Sequence, residues 1–281
     1  MSRTLPLMFC AAALGGALAA QTVPGSLAQD LRDYVAAPAL PGYEQALADH
    51  IATELAAFNP RRDNLGDVIV TLAGPAGSEG APMRVVAAPL DEPGYVVTAI
   101  TEDGYLRVQR LPTRAALPLF NALANAQPLR VGTVSGSWIN GVMAGLSVHL
   151  QPGRVSSPDP DDLDNLYVDI GAATAGQAEA AGVRILSPVA LERTLYTLAG
   201  GQLAGLAVDD RYGAAALVEA LRHLDAAKLP GPVEIAFVNQ QWTGARGLAR
   251  AEALAAPMAS SGQPPAEVVL VGRAAPAPGR G

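Results

Sequence analysis

Leu206-Ala207-Val208-Asp209-Asp210-Arg211-Tyr212-Gly213 is the stretch around which the chain is organised. An apolar run leads into two adjacent carboxylates, and an Ala-rich segment with Leu217, Leu221 and Leu224 on one helical face follows at once. Acidic side chains where a strand hands over to a helix lie at the mouth of an α/β sheet, where ligands usually sit. The pattern therefore predicts a strand-end carboxylate pair and a helix over 212–226. Downstream, Val233 to Val238 and Glu267 to Val271 read as buried-type strands flanking a helix over 244–255. The first of these runs into Asn239-Gln240-Gln241-Trp242.

The same alternation opens the chain. Ser26 is placed to cap a helix with Leu27, Leu31, Tyr34 and Val35 on one face. Pro38 to Gly42 breaks it, and a second helix carries Leu47, Ile51, Leu55 and Phe58 before Asn59-Pro60. Strands are expected over 67–73 and 83–91, the second ending in Pro89-Leu90-Asp91-Glu92-Pro93-Gly94. From Tyr95 the grammar changes to strands and hairpin turns: 95–100 and 105–111 around Glu102-Asp103-Gly104, then 131–148, 166–170 and 183–191, with a short helix over 174–181. Helix–strand alternation resumes near 203. The expected organisation is an α/β domain in two pieces, 26–93 and 194–272, interrupted by a β-rich insertion over 94–193, with 273–281 as a disordered tail.

Composition narrows the functions. A net charge of −7 without a basic patch gives no electrostatic support for nucleic-acid binding. Residues 1–20, MSRTLPLMFCAAALGGALAA, have one Arg, a short apolar run and small residues, the pattern of a cleaved signal peptide. The expectation is export to a periplasmic or extracellular compartment with no membrane span left after cleavage. The one cysteine, Cys10, would leave with that leader, so neither a disulfide nor a thiolate metal site is expected. Asp159 to Asp164 holds four aspartates but lacks the D-x-D-x-D-G order of a calcium loop and reads as a solvated linker. His50 and His223 read as surface residues and His149 as a β-domain residue.

The motifs, taken in order, resemble the M42 family of metallo-aminopeptidases. Pro41-Gly42-Tyr43-Glu44 is similar to the family's S-G-Y-E, and Asn64-Leu65-Gly66-Asp67 to its L-G-N-L turn. Ala88-Pro89-Leu90-Asp91-Glu92-Pro93-Gly94-Tyr95 resembles A-H-M-D-E-I-G-F, and Glu102 to Leu106 resembles D-D-G-F-L. His149 falls at the family's P-H-L, and Leu166 to Ala172 resembles L-Y-I-D-I-G-A. Ala207 to Gly213 resembles A-L-D-D-R-A-G, Phe237 to Gln241 falls at F-T-V-Q-E-E, and Gly244 to Gly247 resembles G-x-R-G. The resemblance covers about 26–272. It implies a zinc-peptidase-type α/β/α domain interrupted by an all-β, barrel-like dimerisation domain, and hence a homo-oligomer through that insertion. It also implies a two-metal centre (Zn, Co or Mn) that hydrolyses peptides.

The residues at the chemical positions differ from the family's. The first ligand, His in the family, is Pro89, and Asp91, which would orient that His, is left with nothing to hold. The bridging ligand is retained as Asp209. The general base is replaced by Gln240, the adjacent ligand by Gln241 and the next by Gly272; the last family ligand, a His, lies further downstream than this sequence runs. Two divalent ions held roughly 3.5–4 Å apart need several converging carboxylates, and a Gln amide cannot take a proton near neutral pH. The expected outcome is an exported, catalytically inactive homologue without a metal cofactor, acting through a peptide ligand, a protein partner or assembly. The alternative is an active aminopeptidase with a rearranged site of Asp91, Glu92, Asp209 and Asp210. On the inactive reading Asp209 caps its helix, Asp210 or a neighbour pairs with Arg211, and Gln240 and Gln241 bond to their own loop.

Overall fold

The computed structural model describes residues 25–77, 81–112, 119–145, 161–255 and 267–272. Residues 1–24, where a leader is expected and Cys10 stands, His149, Asp159 and residues 273–281 lie outside the described residues. The chain opens with α1 (Gly25–Ala36) and α2 (Gln45–Glu54), then β1 (Arg61–Arg62), β2 (Val68–Leu72) and β3 (Arg84–Pro89). Next come β4 (Gly94–Ile100), β5 (Leu106–Leu111), α3 (Phe120–Ala124), β6 (Pro128–Gly132), β7 (Trp138–Gly145), β8 (Leu166–Asp169), α4 (Ala175–Ala180) and β9 (Pro188–Leu191). A short hairpin, β10 (Tyr196–Thr197) and β11 (Leu203–Ala204), leads into α5 (Val208–His223), β12 (Val233–Val238), α6 (Arg246–Ala255) and β13 (Glu267–Leu270).

A five-stranded sheet in the order β1-β2-β12-β3-β13 divides two helical layers. Its strands alternate as the pleat requires. Val68, Val70, Ala88, Ile235 and Phe237 face a core closed by α1, α2 and α5 through Tyr34, Leu47, Ile51, Leu217 and Leu221. Ile69, Ala87, Ala236 and Val238 face the other way, onto Ala251 of α6. β12 is buried along its whole length, runs parallel to β3 and is antiparallel to β2. Glu234 is buried among these apolar neighbours and is held by Arg61 Nη2 at 2.8 Å.

The insertion is a closed barrel, β4-β5-β8-β7-β6-β9, around Tyr95, Val97, Leu106, Leu129, Val131, Met143 and Val168. It leaves the α/β layer just after β3 and returns just after β9. Gly94 stands at the crossing point, where a Cβ would lie 2.4 Å from Leu40 and 2.8 Å from the Val189 carbonyl, so only glycine fits. The expected fold class, an α/β/α domain with a barrel-like insertion, is the one observed.

Several local expectations are corrected. Ser26 lies inside α1 and its hydroxyl donates to Glu219 Oε1 at 2.9 Å, bridging α1 to α5 instead of capping. The helix after the carboxylate pair begins at Val208, and its N-cap is Ala207 in the left-handed region (φ 60°) with no side-chain cap. Asp209 and Asp210 thus occupy its first turn, where carboxylates favour the positive end of the helix dipole. The preceding strand is only the two-residue β11, outside the main sheet. β13 is an exposed edge strand, not a buried one: Val268, Val269 and Leu270 are each about 40 % exposed, because only β3 flanks it among the described residues. β1, α3 and the β10–β11 hairpin, too short to carry a periodic signal, were not anticipated. Asp161 accepts from the Asn121 and Ala122 amides in the first turn of α3, and Asp162 from the Asp164 amide of its own turn, so this part of the acidic run ties down a distant helix start as well as a local turn.

Candidate functional site

The carboxyl ends of β3 and β12 finish level with each other, Pro89 pairing with Val238. β13 runs parallel beside β3, with Leu270 opposite Ala87. This brings Pro89, Asn239 to Gln241 and Gly272 to one rim of the sheet. Pro89 is buried. A Cβ on Gly272 would meet the Pro89 ring at 3.0 Å, so these two positions pack on each other. The start of α5 closes on the same rim. Tyr212 donates its hydroxyl to the Gly272 carbonyl at 2.5 Å. Gly213 lets the helix approach so closely that a Cβ would stand 2.1 Å from the Val271 carbonyl. Asp209 therefore sits in the α5 turn that borders this rim.

Three buried carboxylates grip the segment after β12 by consecutive main-chain amides. Asp67 Oδ1 accepts from Asn239 N at 2.8 Å and Glu44 Oε1 from Gln240 N at 2.8 Å. Asp91 accepts from Gln241 N at 2.7 Å and from Trp242 N at 2.9 Å. The expectation that Asp91 has nothing to hold is corrected: it holds two amides of the very loop that carries both glutamines. Gln240 sits in the left-handed region (φ 58°), and the clamp fixes this unfavourable conformation. Burial pushes the Asp91 carboxyl up to about 7, against the opposing pull of the Trp242 and Gln241 amides. Asp67 rises to about 7 and Glu44 rises as well, in both cases chiefly through desolvation.

Glu92 lies between two guanidinium groups, paired with Arg193 and, at 2.8 Å, with Arg211 Nη2. Arg211 also donates from Nε to the Tyr34 carbonyl at 3.1 Å and is fully buried. Arg211 thus pairs with Glu92 at the barrel entrance, which corrects the expected local pairing with Asp210. Asp210 instead accepts from the Trp242 indole at 3.2 Å. Burial pulls the Arg193 pKa down, opposed by Glu92. Gln240 Oε1 accepts from Arg246 at 2.9 Å, and Gln241 Oε1 is buried without a hydrogen-bond partner. The roles of Glu44, Asp67 and Arg193 were not foreseen. Glu44 and Asp67 stand inside quoted motifs, but main-chain recognition leaves no spacing pattern to read.

The side chains present do not fit a pair of divalent ions. Pro89 has no donor atom, Gly272 has no side chain, Gln241 offers a neutral amide oxygen, and only Asp209 remains as an anionic ligand at the positions the resemblance assigns. Asp91, Glu92 and Asp210 have the partners just described. Among the described residues no group of three or more His, Cys, Asp or Glu side chains is arranged to hold a metal ion.

Comparison with known proteins agrees with this architecture. The chain is 29% identical over 209 residues to the glutamyl aminopeptidase of Lactococcus lactis subsp. cremoris, covering 73% of this chain and 57% of that one. It is 30% identical over 197 residues to the lysyl aminopeptidase of Pyrococcus furiosus, covering 69% and 54%. The chain therefore spans about half the length of these curated relatives. An aminopeptidase from the archaeon Desulfurococcus kamchatkensis superposes with a TM-score of 0.76 at 22% identity, over 92% of this chain and 66% of that one. The TET1 peptidase of Pyrococcus horikoshii does so with 0.68 at 29% identity, over 79% and 63%. The profile of the M42 glutamyl aminopeptidases matches residues 66–259, and the chain belongs to that family.

Proposed function

We propose that this chain is an exported, non-hydrolytic member of the M42 aminopeptidase family that works by holding a peptide or protein partner. The observation that carries this reading is the pairing of Pro89 and Gly272 at the strand ends, where the family resemblance calls for metal ligands. Gln240 can orient water through its amide but cannot deprotonate it. The alternative site of Asp91, Glu92, Asp209 and Asp210 is the weaker reading. Freeing Asp91 would strand two partly buried amides, and freeing Glu92 would leave two buried guanidinium groups without their counter-charge.

Peptides are the favoured ligand class because the relatives are named for aminopeptidase activity. Homo-oligomerisation through the barrel is part of the proposal, supported by the P. horikoshii relative, described as assembling into a tetrahedron or an octahedral shell. Among the described residues no helix is long and apolar enough to cross a membrane. Export rests on the sequence of residues 1–20.

The test is metal content together with amino-acid release. Full-length protein is dialysed against Zn²⁺, Co²⁺ or Mn²⁺ and analysed by plasma emission, then incubated with a panel of unblocked peptides. The reading expects far less than one equivalent of metal and no chelator-sensitive release. Two equivalents per chain with release abolished by Asp209→Ala would overturn it.

A further inference from the structure

A groove of about 400 Å³ runs between the α2 end of the α/β domain and two turns of the barrel, in the range of ligand pockets. It does not include the strand-end rim. It adjoins that rim through the loop leading into α2, where Glu44 holds Gln240 N while its neighbours Tyr43 and Gln45 line the groove. Its walls are apolar and unusually open: Val134 is 69% exposed, Ile185 62% and Leu186 64%. Trp138 adds an aromatic wall.

This exposure is built in. The Arg184–Ser187 turn is closed by Ser187 N to the Arg184 carbonyl at 3.0 Å and by Arg184 N to Ser187 Oγ at 3.0 Å. It is tied to β4 by Leu186 N to the Val97 carbonyl at 2.8 Å. Leu186 is held at φ 71°, a region that disfavours its side chain, and Tyr43 donates its hydroxyl to the Leu186 carbonyl at 2.7 Å across the groove. A strained, clamped turn that presents two large apolar side chains to water is organised for contact, not for burial.

The charge of the lining is as telling. The protein carries −7 overall, yet among the described residues no Asp or Glu lines this groove and Arg184 does. The Arg184 Nη1 donates to the main-chain carbonyls of Glu179 at 2.6 Å and Val183 at 2.7 Å, neutral partners that fix the guanidinium, and among the described residues no carboxylate forms an ion pair with it. Gln45 and Ala46, in the first turn of the ten-residue α2, also line it, and that turn holds no acidic residue. The Glu44 carboxylate is turned back onto Gly42 N and Gln240 N. Amides and helix dipole at that turn add to the preference for an anion. Thr133 and Ser137, their hydroxyls 2.8 Å apart, supply hydrogen-bonding groups along the same wall.

We propose that this groove binds the carboxyl-terminal end of an extended peptide with apolar last residues. The terminal carboxylate faces Arg184 and the α2 N-terminus. The apolar side chains cover Val134, Trp138, Ile185 and Leu186. The inference deepens the reading of the chain as a peptide-holding protein and supplies a site and a ligand end for it.

Fluorescence anisotropy of the full chain with a dye-labelled Gly-Ser-Ala-Leu-Leu peptide tests the proposal, against the same peptide amidated at its C-terminus. The free acid is expected to bind and the amide to bind about tenfold more weakly or worse, as loss of a charge-assisted contact implies. Arg184→Gln should weaken the acid by about tenfold and leave the amide unchanged, and Leu186→Asp should weaken both, with circular dichroism confirming that both variants fold. Equal binding of acid and amide overturns the proposal, as does no binding by folded protein. Concentration-dependent self-association lost in Leu186→Asp also overturns it, because a second copy would then occupy the groove. Peptide cleavage, followed in parallel by mass spectrometry, would refute the non-hydrolytic reading alone and leave the binding result standing.

Discussion

Asp91 shows how a single buried carboxylate can organise a loop. It accepts two main-chain amides of the loop that carries Gln240 and Gln241. Restoring acidity to that loop should therefore not restore chemistry. The Gln240→Glu/Gln241→Glu variant is expected to release no amino acid from unblocked peptides under any of the three metals, because Pro89 and Gly272 remain. Asp67 and Asp91 also set a pH dependence. Their folded pKa values, about 7, lie above the ordinary carboxyl value of 3.8, so the folded state holds protons more tightly than the unfolded state. Their contribution to stability is full below pH ~4 and is lost as pH rises through ~7. Melting should occur at a higher temperature at pH 5.5 than at pH 8, and Asp67→Asn with Asp91→Asn should flatten that slope. A melting temperature that rises from pH 5.5 to 8 would contradict the assignment.

At the scale of elements, the crossings between sheet and barrel depend on Glu92. It follows β3, while Arg193 follows β9 and Arg211 belongs to α5, so one carboxylate ties together the barrel's entrance, its exit and the helix behind them. Removing its charge leaves two buried guanidinium groups uncompensated. Glu92→Gln should destabilise the protein by about 3–5 kcal/mol, the usual consequence of breaking a buried pair from one side, measured by urea titration at pH 7. A loss below about 1 kcal/mol, the level of a surface pair, would mean that the triad is hydrated. Helix α5 illustrates how a neighbour sets an element boundary. The helix starts at Val208, where Ala207 turns the chain through the left-handed region, and Gly213 lets it pass close to the Val271 carbonyl.

For the molecule as a whole, the two tryptophans report on different parts: Trp138 lies in the barrel and Trp242 beside the sheet rim. With Glu92 linking the parts, single-tryptophan proteins made by Trp138→Phe and Trp242→Phe should give coincident unfolding transitions. Adding Glu92→Gln should separate them. Two transitions in the parent proteins would show that the barrel and the α/β layers unfold independently.

Much of this architecture was legible in the chain itself. The apolar run of Val233 to Val238, the helical spacing of Leu47, Ile51 and Leu55, and the change to hairpin grammar at Tyr95 mark elements because burial periodicity is local and survives without tertiary context. The same holds for Pro89, Gln240, Gln241 and Gly272, whose side chains lack a donor atom or a basic group wherever they are placed. The packing partners were not legible. That Asp91 bonds to amides 150 residues away, that Arg211 turns to Glu92, that β13 is an exposed edge, and that Leu186 is pinned outward beside Arg184 depend on distances across the fold. Sequence determined which groups this protein brings to the strand ends; tertiary structure alone decided what its buried charges hold, because hydrogen bonds and ion pairs form between neighbours in space that no local pattern encodes.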